Sequence, residues 1–377
     1  MSNPNFHYDV AIIGGGLGGL TLSIQLAKQG RKVLLMEKES YPYHKVCGEY
    51  IAMESFDFLE NCGVPLSTLQ LPRIERLQLS APNGNSLYHN LKPGGFGISR
   101  FTLDHLLAQM AKENGVHLLE MCRADEVIFE ANKFFISSQK GQFTADFAFG
   151  SYGKKSNLDV KLKRNFTLEK KQGPKNYIGV KYHVQFPQDA DLISLHNFED
   201  GYCGISKVDN ERWCLCYLTS AANLKANGNS IAQMEENVLK RNPHLKEIWN
   251  HATFLYQSPL TISQVRFEPK TQIENHLVLL GDAAGLITPL CGNGMSMSMK
   301  AASIIAQLLP DNTQSREQFE SEYKKQWNSA FKVRISAGRT FQSLFGSSQI
   351  TNAVVASLKA LPFLISPLVS LTHGKKF

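Results

Sequence analysis

The 377-residue sequence contains no Cys-x-x-Cys pair, no acidic residue after Glu322, no internal repeat and no low-complexity tract. Its seven cysteines (Cys47, Cys62, Cys122, Cys203, Cys214, Cys216, Cys291) are odd in number and lack the paired spacing of zinc or redox motifs. A reducing, cytoplasmic setting is therefore expected. The apolar residues 10–13 follow Tyr8 and Asp9 and run straight into three glycines, so the basic start and long apolar core of a signal peptide are missing. Late in the chain, residues 353–371 are apolar but broken by Lys359, Pro362 and Pro367. That interruption speaks against a continuous spanning helix and leaves a helix on a membrane surface open.

Enough is present for a substantial core, since 43% of residues are apolar. The length predicts two or three domains. Residues 8–13 read as a buried strand, 16–29 as a helix closed by Gly30, and 32–37 as a second strand, which makes a βαβ start. Leu103, Leu106, Leu107 and Met110 place a helix over 102–113, with Asn114-Gly115 as its stop and a strand at 116–119. Short strands are expected at 127–130, 134–138 and 143–149. From 176 to 217 the pattern changes to strands without helices (178–184, 192–198, 202–206, 213–218), which predicts a second, sheet-based domain. A strand at 276–280 and a helix from 294 resume the first domain. Beyond Ser315, Phe319, Tyr323, Trp327 and Phe331 recur every four residues along one side of a long helix, a pattern for packing or for an apolar site.

The turn Gly14-Gly15-Gly16-Leu17-Gly18-Gly19 carries G-x-G-x-x-G between the first strand and its helix. Gly14 permits the tight turn, Gly16 lets the backbone approach a pyrophosphate, and Gly19 lets helix and strand pack closely. Glu37 ends the second strand, where a carboxylate accepts ribose hydroxyls. A dinucleotide is implied, with FAD and NAD both open at this point. The late segment from Gly281 to Met295 follows a strand and opens a helix. In it Asp282 suits a ribityl hydroxyl or a bridging water. Pro289 and the turn Gly292, Asn293, Gly294, Met295 suit the electron-rich N1/O2 side of a reduced flavin.

With these two motifs the sequence resembles the FAD-dependent oxidoreductases of the p-hydroxybenzoate hydroxylase fold. The likeness is greatest to the branch of geranylgeranyl reductases and related flavoprotein dehydrogenases, itself related to group A flavin monooxygenases. It spans roughly residues 5–310 and implies an α/β fold: a Rossmann-like FAD-binding domain, an inserted sheet-based substrate domain and C-terminal helices. The expected division is 1–75, 95–175 and 260–310 for FAD, 76–94 and 176–259 for substrate, and 311–377 for the helical region. Lys45-Val46-Cys47-Gly48-Glu49 resembles the branch's K-x-C-G segment beside the flavin, and Arg100 to Asp104 resembles R-x-x-L-D, whose arginine contacts the diphosphate. The resemblance thus adds Arg100, Lys45, Cys47 and Gly48 to the FAD residues. Cys47 also reads as a small buried residue, and Arg100 as one half of an ion pair.

The sequence also departs from the family. Where hydroxylases carry A-D-G-x-x-S, residues 150–156 read Gly-Ser-Tyr-Gly-Lys-Lys-Ser, with Tyr152 in place of the aspartate. Orthodox nicotinamide docking is weakened, and NADH and NADPH both stay open as electron donor. Gly285 follows Asp-Ala-Ala as in the reductases, but Gly201 to Ser206 lacks the tryptophan and proline of their aromatic segment. The W-x-W-x-I-P motif of tryptophan-type halogenases is missing. His183, His196, Tyr202 and Cys203 lie on predicted substrate-domain strands as pocket candidates, with no catalytic residue assigned and no metal expected.

The expected function is an FAD-dependent oxidoreductase acting on an apolar isoprenoid, polyketide or phenolic substrate, with a reductase or dehydrogenase ahead of a monooxygenase using NAD(P)H and dioxygen. A lipid-binding escort of the same fold, similar to Rab GDP-dissociation inhibitors, is the third reading. The net charge of +7 divides unevenly. Residues 154–175 hold eight Lys/Arg against two acids, residues 323–377 hold eight and none, and the remainder is acidic. The two basic segments are read as solvated surface, or as attracting a phosphorylated donor, an acidic carrier protein or, at the C-terminus, an anionic membrane. No nucleic-acid motif accompanies them.

Overall fold

The computed structural model describes residues 6–168, 176–288, 292–309, 315–344, 347–371 and 374–377. The strand Phe6–Ile13 sits in the middle of an eight-stranded sheet. Val10, Ala11 and Ile12 are wholly buried because helices or strands cover both faces, which is why a parallel strand reads as a continuous apolar run. Parallel neighbours Val33–Met36 and Gly141–Gly150 flank it, followed by His117–Leu119 on one side and Leu277–Leu279 on the other. The strand order reverses at Phe6–Ile13, the place where open α/β sheets bind ligands beyond their carboxyl ends. Register brings those ends level. Ile13 pairs with both Met36 and Gly150, and Gly150 pairs with Leu279. Gly14, Glu37, Ser151 and Leu280 therefore leave the sheet together at one edge.

The second sheet runs Thr253–Phe254, Tyr177–Gln185, Arg212–Ser220, Gly201–Val208, Leu192–Phe198, Arg73–Ser80, Ser86–Gly97 and Tyr50–Ala52, with Leu260–Val265 also on Tyr177–Gln185. It extends past the expected limits at 76, 94 and 259. Arg73 pairs with Phe96, Tyr50–Ala52 adds along Gly95–Gly97, and Thr261 pairs with Val180, so hairpins carry the sheet into segments expected to serve FAD alone. Short helices within 221–251 cover one face through Met234, Leu239, Leu245 and Ile248.

Helix Arg100–Glu113 starts two residues before the sequence pattern suggests, because Ser99 accepts from the Thr102 N–H as its cap. Helix Arg316–Leu344 buries the aromatic stripe as packing: Phe319, Tyr323 and Phe331 are fully buried, and Tyr323 donates to Leu279 O at 2.7 Å. After it, Ser348–Ala360 and Ile365–Ser370 meet through the turn Pro362–Leu364 and bend by 103° across it. Among the described residues no single helix is long and apolar enough to cross a membrane.

Candidate functional site

Gly14 has φ +102, and a Cβ there would come within 2.7 Å of the Tyr152 Cα. At Gly16 a Cβ would meet only Ser151 O, at 3.9 Å, so that backbone faces open space. Gly19 packs so closely on the first strand that a Cβ would press on Ile12 at 3.3 Å. The turn is held from beneath. Glu37 accepts the Gly15 N–H at 2.7 Å and the Glu39 N–H at 3.1 Å, while Tyr41 donates its hydroxyl to Gly15 O. A carboxylate offers about four acceptor sites, so Glu37 keeps capacity for a ribose. Tyr41 carries no motif, and its role was not visible in the sequence.

Farther along, Arg100 grips Asp104 with two bonds of 2.7 and 2.8 Å, and Lys45 reaches the same carboxylate at 2.8 Å. Both cations line the wall, and Asp104 is fully buried behind them. Burial alone would raise the Asp104 pKa, but Arg100 and Lys45 together hold it below the usual range. Two cations against one anion leave this wall positive, as a diphosphate requires. Asp104 was quoted only as part of a motif; its place as the anchor of both cations is a structural finding.

At the other end Gly281 and Gly292 take φ of +60 and +66, and helix Gly294–Leu308 begins at the wall. Its first N–H groups have no partner within the helix. Asp282, Gly292, Gly294 and Met295 line the cavity, whereas Pro289 falls outside the described residues. Asn293 is buried at the helix cap. Lys270 donates to Lys154 O at 2.8 Å and Asp282 O at 2.9 Å, tying the two loops together, and burial lowers its pKa to about 8. Lys154 itself lines the cavity; burial lowers its pKa, with Asp282 pulling the other way. Cys47 lies 3.6 Å from the Met295 sulfur, Gly48 has open space where a side chain would be, and Cys216 and Tyr202 complete this region. Burial pushes the Cys216 thiol up to about 12, so it stays neutral.

Three pocket candidates, His183, His196 and Cys203, are placed outside the cavity wall. His183 does not line the cavity itself but is held in a buried cluster just behind it, bonded to the lining residue Glu49 at 2.6 Å and to the Tyr256 hydroxyl at 2.7 Å. His196 is buried against Ser80 at 2.8 Å and stacked on His244. Alternation explains the first: Lys181 and His183 share the face of their strand that turns toward Glu49. Cys203 is likewise buried outside the wall. The basic stretch 154–175 is not a uniform surface patch either. Lys154 faces the cavity, and Arg164 is wholly buried, paired with Asp159 at 2.8 Å and donating to Ala283 O at 2.9 Å. Lys170, Lys171 and Lys175 lie outside the described residues. Tyr152, in the place of the family's aspartate, donates to that same Asp159 at 3.1 Å.

The glycine turn, the wall of Lys45 and Arg100 and the loops of Lys154 and Asp282 belong to one cavity of about 1260 Å³. A site for a single small molecule is typically about 300–1,000 Å³, so a second occupant fits beside a dinucleotide. Its far arm is walled by Leu77, Leu79, Leu91, Ile193 and Leu195 from the second sheet and by Phe341, Leu358, Ile365 and Leu368 from the C-terminal helices. Nothing in the motifs pointed to this arm.

A glycine cradle open at Gly16, a positive wall at its middle and a helix N-terminus at its far end fit the chemistry of FAD. That arrangement, with an apolar chamber beyond it, defines an FAD-dependent oxidoreductase of the p-hydroxybenzoate hydroxylase fold. The chain belongs to the FAD binding domain family, whose model matches residues 7–317. It is similar to conditioned medium factor receptor 1 of Dictyostelium discoideum, 25% identical over 368 residues that cover 90% of this chain and 70% of that one. It is also similar to the digeranylgeranylglycerophospholipid reductase of Methanococcus vannielii, 23% identical over 357 residues, 85% of this chain and 82% of that one. Among solved structures, the flavin-dependent brominase Bmp2 superposes with a TM-score of 0.77 at 18% identity, covering 97% of this chain and 93% of its own, a likeness of fold.

Proposed function

We propose that the protein is an FAD-dependent reductase that saturates carbon–carbon double bonds in a long apolar substrate, with NADH or NADPH as the electron donor. The observation that carries this reading is the continuity of the cavity: the loops that would face the flavin open directly into an arm walled by aliphatic and aromatic side chains. An extended hydrocarbon chain gains by leaving water there, at roughly 0.8 kcal/mol per buried methylene. The similarity to a reductase of geranylgeranyl lipids supports the same substrate class.

FAD, held in this cavity in its reduced form, would supply the hydride for one carbon of the alkene. The chain must then orient the alkene, keep water out and provide a proton for the other carbon. Lys154 is the group best suited to the last task, being an ammonium on the cavity wall whose pKa is lowered by burial. Lys270 holds the Lys154 carbonyl and so fixes where that side chain starts. Replacing Lys154 by Met should lower the rate of alkene reduction by about 10²–10⁴-fold while FAD binding persists. In the native protein the rate should fall as pH rises through the lowered Lys154 pKa. An unchanged rate and pH profile in K154M would remove Lys154 from the role. The reaction itself is tested by turnover without dioxygen, because reduction survives that condition and hydroxylation or halogenation does not.

A further inference from the structure

The apolar arm and the outer surface of the protein share their last wall. Helices Ser348–Ala360 and Ile365–Ser370 turn Leu358, Leu368 and Val369 toward the cavity and bury Val355 and Ile365 against Leu79 and Leu87 of the second sheet. The turn between them does the opposite. Leu361 is 44% exposed, Phe363 69% and Leu364 40%, and Leu371 follows at 45%. Four large apolar side chains within eleven residues are more than scattered surface apolarity, and such clusters mark interaction sites.

The charges along the stretch that carries this tip have one sign. Exposed Lys359 precedes it, exposed Lys375 follows it, and exposed Lys92 lies on the strand Ser86–Gly97 that packs beneath, where His89 meets Ser366 at 3.1 Å. No acid occurs in the chain after Glu322. Glu199 caps the far end of helix Ser348–Ala360 at Ser348, about 20 Å from the tip along the helix, and beyond the second helix Lys376 is paired with Asp57 at 2.9 Å. An exposed apolar turn in a stretch, residues 340–377, whose only charges are Lys359, Lys375 and Lys376 matches an anionic bilayer surface, which offers hydrocarbon for the ring of Phe363 and negative headgroups for the lysines.

We infer that the turn Pro362–Leu364, with Leu361 and Lys359, is a shallow insertion device that seats this protein on an anionic membrane, its apolar arm behind the inserted tip. The purpose of the docking rests on the apolar-substrate reading, since a lipid drawn from the bilayer would enter between the same two helices. The docking itself needs no turnover, and its test is independent of the reaction.

The experiment is co-sedimentation of the full FAD-loaded protein with phosphatidylcholine vesicles, with and without 30% phosphatidylglycerol, alongside the double variant Phe363→Glu/Leu364→Ser. Both residues are exposed at the turn and neither touches the cavity, so FAD content and melting temperature should match the unchanged protein. The expected result is binding to the anionic vesicles that falls at least about tenfold in the variant and weakens without the anionic lipid. A Phe363→Trp variant should show blue-shifted emission, quenched by brominated acyl chains, on the same vesicles. Equal sedimentation of the variant, or no binding by the unchanged protein, overturns the inference. So does a dimer that the double variant converts to monomers, which would assign the face to a second copy. Turnover of detergent-dispersed substrate reports separately on the reductase reading.

Discussion

Glu49 is fully buried beside Cys47 and Gly48, with the Lys181 ammonium at 2.5 Å, the His183 ring at 2.6 Å and the Arg100 N–H at 2.7 Å. It joins the segment 45–48 to the second sheet and to the start of helix Arg100–Glu113. Burial by itself would raise its pKa, but Lys181 and the His183 hydrogen bond outweigh it and bring the value to about 2. Glu49→Gln should therefore cost about 3–5 kcal/mol in urea unfolding at pH 7, because it leaves the Lys181 charge buried and uncompensated. The pH dependence has two windows. His196 is held neutral by burial, its pKa down to about 3, so stability is fully present above the unfolded value near 6.5 and declines as pH falls from there. The Glu49 contribution is fully present above about 4.5 and is lost as pH falls toward 2. Urea midpoints measured from pH 7 to 3 should fall throughout, and E49Q should flatten only the part below 4.5. A native midpoint independent of pH over this range would contradict both assignments. Glu49 was in plain view in the sequence, but its partners lie 132 and 134 residues away. A lysine and a histidine two apart in an otherwise apolar strand were the only signal of the cluster.

Among the elements, those fixed by local chemistry were the legible ones. The apolar run at 10–13, the glycine turn and Gly30 at φ +81 define the first βα unit, and the four-residue aromatic spacing defines helix Arg316–Leu344. The helical character of the pair after it was expected, since 311–377 was read as a helical region, but its bend of 103° was not, because prolines mark a break without giving its angle. Sheet membership of Tyr50–Ala52 and Leu260–Val265 was hidden for a different reason: short strands owe their pairing to distant neighbours. Gly285 read as a mark of the reductases, yet a Cβ there would press on the Trp327 ring at 3.0 Å, so packing alone accounts for it. The glycine turn itself can be tested by contrast. Gly16→Val places its side chain in open cavity, and FAD affinity should fall about 100-fold or more with the fold retained, whereas Gly14→Val meets the Ser151–Tyr152 backbone at positive φ and should also unfold more readily. Flavin absorbance after gel filtration, with circular dichroism, checks both. Normal flavin content in Gly16→Val would move the pyrophosphate away from this turn.

At the scale of the whole molecule, the parallel sheet sets the dinucleotide end of the cavity and the antiparallel sheet with the C-terminal helices sets the apolar end. The charge follows the same division less simply than the sequence suggested, since Lys154 lines the cavity and Arg164 is buried in an ion pair with Asp159. FAD binding was legible because its motifs are contiguous. The apolar arm was not, because its wall combines residues from 77 to 368. The central claim is that this arm presents an alkene for reduction. Its most direct measurement is a single turnover under strict anaerobiosis, mixing the reduced flavoprotein with a dispersed geranylgeranyl lipid and following flavin absorbance and product mass. The predicted result is flavin reoxidation matched by a product two hydrogens heavier per double bond saturated. Reoxidation and product formation only after dioxygen is admitted, with oxygen or halogen in the product, would contradict it.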